Sequence, residues 1–281
     1  MEFNEVVGTR RTIRWFKSWE PVEKEKVQAV LEAARLISSP GNLQPWHAVV
    51  VYRDELDDKT REELLAADNW QGGHTQAPVW VYFFADPDKA SVDKFAAGTI
   101  ELCTWGALPL AYGWSKERII GGMERAEKSP AGMASIDEFL YDLPAERGLM
   151  MSFGETIAVT NVATLAAVNQ GLGAALNLIA KPSKVERVKE LLGVPERFVP
   201  TWLLLLGKPA EGKEAGGVRR KDPFEELFSE GTYGTPFERD ENVVQELTEE
   251  KLIQPEAPLP QRSNELRFLA RMYGYPEDPG M

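Results

Sequence analysis

One cysteine, Cys103, stands alone in a chain of 281 residues. No disulfide can close within the chain, and neither a thiolate zinc cage nor a Cys-x-x-Cys redox pair is available, so a cytoplasmic setting is expected. Histidine is nearly as scarce. His47 and His74 are the only two, and neither sits in a His-Glu-x-x-His run or at a spacing that pairs a nucleophile with its base. His47 follows Trp46 at the head of an apolar strand and reads as a core histidine. Positive charge is also in deficit: 32 basic against 44 acidic residues leave a formal charge of -12. That balance argues against nucleic acid or an anionic membrane as a partner. The start, Met1-Glu2-Phe3-Asn4-Glu5, lacks the basic and apolar blocks of a signal peptide. No apolar stretch reads as long enough to span a bilayer.

Apolar material for a core is plentiful, at 43% of residues. Two short stretches near the N-terminus are more informative. Arg10-Arg11-Thr12-Ile13-Arg14 concentrates three permanent cations in an acidic chain, and Ser38-Ser39-Pro40-Gly41-Asn42-Leu43-Gln44-Pro45-Trp46 is a polar, turn-forming loop. Guanidinium groups match phosphate oxygens with a planar donor fork and stay protonated. Small polar loop residues let backbone approach a flat polar ring closely. Between the two stretches, Val27, Val30, Leu31 and Ala34 recur at helical spacing, and Ala48 to Tyr52 follow as a strand.

The order and separation of these elements resemble the nitroreductase family of FMN-dependent oxidoreductases. Arg10, Arg11, Thr12 and Arg14 match the family's first element; Ser39, Asn42, Gln44, Pro45 and Trp46 match its second, with Ser38 and Pro40 exchanged relative to the usual Pro and Ser. The resemblance implies an α+β fold, a central mostly antiparallel sheet flanked by helices, in an intertwined homodimer with two FMN sites at the interface. It implies FMN contacts from Arg10, Arg11, Thr12, Arg14, Ser38, Ser39, Pro40, Asn42 and Gln44. It also implies backbone near Leu178 and Ile179 beside the ring, and a basic residue among Arg219, Arg220 and Lys221 on the phosphate. The activity implied is ping-pong transfer of hydride from NAD(P)H to a small, electron-poor aromatic acceptor, a nitroaromatic or a quinone. A flavin-dependent reductive dehalogenase, another specialised member or a non-catalytic flavin-binding protein are the alternatives. No catalytic side chain and no metal ligand are assigned, because the flavin carries the chemistry.

Residues 1–228 read as the FMN-binding domain, with a variable lid at about 86–150, and 229–281 as an extension that wraps the body or a partner subunit. Asp54 to Ala67 and Lys184 to Leu192 read as helices; Ala77 to Ala85, Ala174 to Ile179 and Pro200 to Leu206 read as strands. Phe153 to Gln170 is apolar on nearly every side and is expected to be buried all round, in the core and against its twin across the dimer. Gly171-Leu172-Gly173 leads from helix to strand, the reverse of a dinucleotide-binding turn. In the tail, Asn242 to Leu252 and Leu266 to Tyr273 read as helical pieces. Trp105, Tyr112, Trp114, Phe139 and Tyr141 are candidate acceptor contacts from the lid.

Overall fold

In the computed structural model, which describes residues 1–108, 115–121 and 145–276, four strands form one antiparallel sheet in the order β1-β2-β4-β3. They are β1 (Trp46–Tyr52), β2 (Val79–Ala85), β3 (Gly173–Asn177) and β4 (Val199–Gly207). Side chains alternate across a strand, yet every residue of β2 is buried. Both faces of the sheet must therefore be covered. On one face Val79, Val81, Phe83, Leu204 and Leu206 meet helices α2 (Lys24–Arg35) and α6 (Ala145–Asn169). On the other, Trp80, Tyr82, Phe84, Leu203 and Leu205 meet α3 (Asp58–Ala67) and α7 (Val185–Leu192). Each fully buried large side chain contributes about 1.5–3 kcal/mol, so the β2–β4 pair is the centre of stability.

Helix α6 buries one side within the described chain. Its buried face carries Val159, Ala163 and Ala167, interleaved with Thr156, Thr160 and Thr164. Those hydroxyls are tolerated there because each donates to the carbonyl four residues earlier, at 2.6, 2.6 and 2.8 Å. Among the described residues the opposite side is not covered: Met150 is 72% exposed, and Ile157, Leu165 and Val168 are only half-buried. Within the described residues the chain thus supplies the core half of the expected burial, and the half assigned to a twin helix is left to a partner. A correction concerns length. Gly148–Asn169 is long and apolar enough to cross a membrane by length and composition, because the helix begins at Ala145, well before the Phe153 to Gln170 stretch read from sequence. Its packing against the sheet marks it as a core helix.

His47 is exposed on edge strand β1, its ring 5.8 Å from that of Phe198. His74, in the short helix α4 (Gly72–Gln76), is the core histidine instead. Its Nδ1 lies 2.8 Å from Asp68 Oδ2 and its Nε2 3.4 Å from the Tyr82 hydroxyl. Burial pushes the Tyr82 hydroxyl up, and the Asp68 charge adds to that. Of the lid aromatics, Trp105, which caps α5 (Val92–Thr104), is exposed; Tyr112, Trp114, Phe139 and Tyr141 lie outside the described residues.

After β4 the chain leaves the sheet through α8 (Phe224–Leu227) and α9 (Glu241–Glu249), both solvent-facing, and returns as α10 (Arg262–Tyr273). Leu269 and Ala270 of α10 are buried against the body. Tyr273 stacks near Trp15 at 5.2 Å and its hydroxyl donates to the Phe16 carbonyl.

Candidate functional site

The arginine-rich stretch is held as an extended ribbon beside the sheet. Helix α1 (Phe3–Thr9) ends at Arg10, and Thr12 then pairs in parallel with Ala174 of β3, the Ile13 N–H donating to the Ala174 carbonyl at 2.9 Å. Further on, the Ala210 N–H donates to the Trp15 carbonyl at 2.8 Å and the Lys17 N–H to the Lys208 carbonyl at 2.9 Å. This pairing buries Ile13 and Phe16 and turns Thr12 and Arg14 toward two cavities.

One cavity, of about 420 Å³, is lined by Arg10, Arg11, Arg14, Arg219, Lys221 and Arg262. The other, of about 920 Å³, shares Thr12 and Arg14 with it and extends to Trp15, Trp70, Gln71 and Asn177. The shared residues place the two cavities side by side. Burial lowers the pKa of Arg14, and the nearby Arg219 and Arg262 lower it further while Glu211 opposes them. Burial also lowers the Arg11 pKa, with Arg10 adding and Glu214 opposing. Guanidinium groups remain charged regardless, so like charges are crowded where an anion would relieve them. Arg11 Nη1 donates to the Gly8 and Arg10 carbonyls, both at 2.7 Å, whereas its buried Nε has no partner.

Glu211 organises the cluster. Its fully buried carboxylate accepts the Arg14 and Trp15 backbone N–H groups through Oε1, at 2.5 and 3.1 Å, and faces Arg262 Nη2 at 2.8 Å through Oε2. The Gly216-Gly217 pair permits the close approach of the tail. Gly217 has φ +107°, and a Cβ there would come within 2.8 Å of the Ala257 nitrogen. The Ala257 N–H in turn donates to the Val218 carbonyl at 2.8 Å.

The second sequence element lies elsewhere. Ser39 Oγ accepts from the Gln44 N–H at 3.0 Å, within a loop in which Asn42 and Gln44 adopt positive φ. This loop feeds Trp46, which pairs with Ala85 beside Val199, whereas Thr12 sits by Ala174 and Leu206 near the far end of β4. None of residues 38–44 lines either cavity. The chain therefore unites Arg10, Arg11, Thr12, Arg14 and Arg219, and keeps Ser38, Ser39, Pro40, Asn42 and Gln44 apart from them. Arg219, Arg220 and Lys221 are all exposed, and Arg219 and Lys221 line the basic cavity whereas Arg220 does not. Leu178 is exposed and Ile179 buried; their neighbours Leu176 and Asn177 line the larger cavity in their place. Arg262 and Tyr275 were not signalled by the sequence, since the tail carries no motif that points to them.

These features define an α+β protein with a basic cavity beside a larger cleft, and its relatives identify its class. The chain belongs to the nitroreductase family, whose defining pattern matches residues 7–208. It is 28% identical over 202 residues to a Thermus thermophilus protein named NADH dehydrogenase, covering 72% of this chain and 84% of that one. It is also 28% identical over 214 residues to a Bacillus subtilis protein provisionally named NAD(P)H nitroreductase YdgI, covering 75% and 90%. Among solved structures, a provisionally named nitroreductase from Exiguobacterium sibiricum, in complex with FMN, shares the fold with a TM-score of 0.60 at 19% identity, over 82% of this chain and 97% of that one.

Proposed function

We propose that this protein is an FMN-dependent oxidoreductase that passes hydride from NAD(P)H to an electron-poor acceptor, a nitroaromatic or a quinone, by a ping-pong route in a cytoplasmic setting. The observation that carries the reading is that the basic cradle and the larger cleft adjoin, with Thr12 and Arg14 lining both. The residues present fit the cofactor. Arg10, Arg14 and Arg219 offer forked donors to a terminal phosphate. Gln71 and Asn177, whose side-chain amides lie 3.4 Å apart, supply polar contacts on the wall of the cleft, and Trp15 and Trp70 supply flat apolar surface. Bound flavin supplies hydride acceptance and donation; the chain binds it, orients it and keeps water from one side. The names of the relatives, NADH dehydrogenase and NAD(P)H nitroreductase, support the donor.

The same reading makes the functional unit a homodimer. Ser38, Ser39, Pro40, Asn42 and Gln44 then reach the cradle of the partner, and the half-open stripe of α6 is what the two copies bury. Residues 1–228 form the FMN-binding domain and 229–281 an extension laid over it. Steady-state oxidation of NADH and NADPH, with and without a nitroaromatic and a quinone, tests the proposal. Parallel double-reciprocal lines are expected, because donor and acceptor use one site in turn; intersecting lines without substrate inhibition, or no turnover with any acceptor, contradict it.

A further inference from the structure

The family match ends at residue 208, but the basic cavity does not. Arg262, at the first turn of α10, lines it from the C-terminal extension, more than fifty residues beyond the match. The extension is delivered there by backbone pairing: the Val218 N–H donates to Pro255, the Ala257 N–H to Val218 and the Leu259 N–H to Gly216, at 2.9, 2.8 and 2.9 Å. Gly216, with φ +87°, leaves room for the Arg262 stem, which a Cβ would meet at 2.8 Å. Arg262 Nη2 pairs with Glu211 and its Nη1 with Glu265 Oε2, each at 2.8 Å, while Glu265 also accepts the Gly212 N–H. Its side chain is only 15% exposed.

Two features of this arrangement point to a ligand contact. A guanidinium has five N–H donors in a planar fork, so two carboxylate contacts leave donors for an anion in the cavity that Arg262 lines. The cavity also holds six cations, whereas Glu211, Glu214 and Glu265 are the carboxylates that act on its arginines. A dianion would offset most of the surplus.

Resting on the flavin reading above, we propose that Arg262 is a cofactor-binding residue contributed by the extension: its guanidinium contacts the terminal phosphate of FMN and ties cofactor retention to the docked tail. Arg262 thereby adds a phosphate ligand that the matched portion of the chain does not contain.

Comparison of FMN with riboflavin separates this role from a structural one, since the two flavins differ only at the phosphate. Affinities of the apoprotein for both are read from flavin fluorescence. Arg262→Met is expected to weaken FMN binding about 10- to 100-fold, the range for a lost charge-assisted contact, and to leave riboflavin binding within about two-fold. Equal losses for both flavins, or an unchanged FMN affinity, overturn the proposal and reduce Arg262 to a support for Glu211. Because Arg262→Met leaves the Glu211 carboxylate buried without its cation, the double variant Glu211→Gln/Arg262→Met is measured as well; glutamine keeps an acceptor for the Arg14 and Trp15 N–H groups, and the same FMN-selective loss is expected. Arg14→Met is the reference. An FMN-selective loss there but not at Arg262 overturns this inference alone, whereas no FMN-selective loss at either site overturns the flavin reading too.

Discussion

Gly8 of α1 packs backbone to backbone on Lys251 of the extension: a Cβ at Gly8 would come 1.9 Å from the Lys251 carbonyl oxygen. Around this contact Lys251 Nζ pairs with Glu5 at 3.3 Å and Asn4 donates to Glu250. The pairs are exposed and worth little, so the close approach itself holds the junction. Gly8→Ala is expected to lift the returning chain off α1, lower stability by about 1–3 kcal/mol and speed proteolytic cleavage between residues 222 and 254. Wild-type cleavage rates in the variant would contradict this account of how the tail docks.

Two glutamate substitutions on α6, two residues apart, are expected to behave differently. Val159 is fully buried against the sheet, so Val159→Glu places a charge in the chain's own core and should prevent folding. Ile157 is half-buried on the uncovered side, so Ile157→Glu should leave the fold intact by circular dichroism and convert a dimer to a monomer by light scattering. A folded Ile157→Glu dimer of wild-type stability would remove this stripe from the interface.

Glu155 gives a pH dependence. Burial raises its pKa above the ordinary carboxylate value, and the hydrogen bond from Ser39 only partly offsets this. A raised acid binds more protons when folded than unfolded, so its ionisation costs stability as pH climbs through the unfolded pKa toward the folded one. Below both values the cost vanishes. Glu155→Gln should therefore raise Tm at pH 7, with the gain shrinking toward pH 4; a gain that grows on acidification would reverse the sign of the argument.

The parts of this fold that depend on neighbours in sequence were legible before the structure. Val27, Val30 and Ala34 do form the buried face of α2, and the apolar run around Phe83 is a strand covered on both faces. The Arg10 to Arg14 element was legible because its charge is anomalous in an acidic chain, and Arg219 does join it. What escaped depends on which segments meet. The sequence offers no means of telling His47, on an edge strand, from His74, which Asp68 and Tyr82 enclose. Arg262 looks like any charged helix residue until Gly216 and Gly217 bring it to Glu211. For α6, composition reports how apolar a helix is, not how its cover divides between its own chain and a partner.

The two histidines are expected to differ in stability and agree in mechanism. His47→Ala should change neither Tm nor turnover appreciably. His74→Phe leaves Asp68 buried without its partner, which should cost about 1–3 kcal/mol and lower Tm. Turnover per bound flavin should nonetheless change far less than the roughly 10²- to 10⁴-fold expected on losing a general acid or base. A loss of that size at either histidine, with flavin fully bound, would require a protein acid in the reaction.

The most direct measurement is of the cofactor itself. The purified protein, denatured and its supernatant resolved by chromatography, should release FMN, not FAD, at close to one per chain, and the Arg10→Ala/Arg14→Ala variant should retain far less, each lost charge-assisted contact costing about 1.5–3 kcal/mol. Release of FAD, absence of flavin even after reconstitution, or undiminished FMN affinity in the double variant would contradict the assignment of the basic cradle to the flavin phosphate.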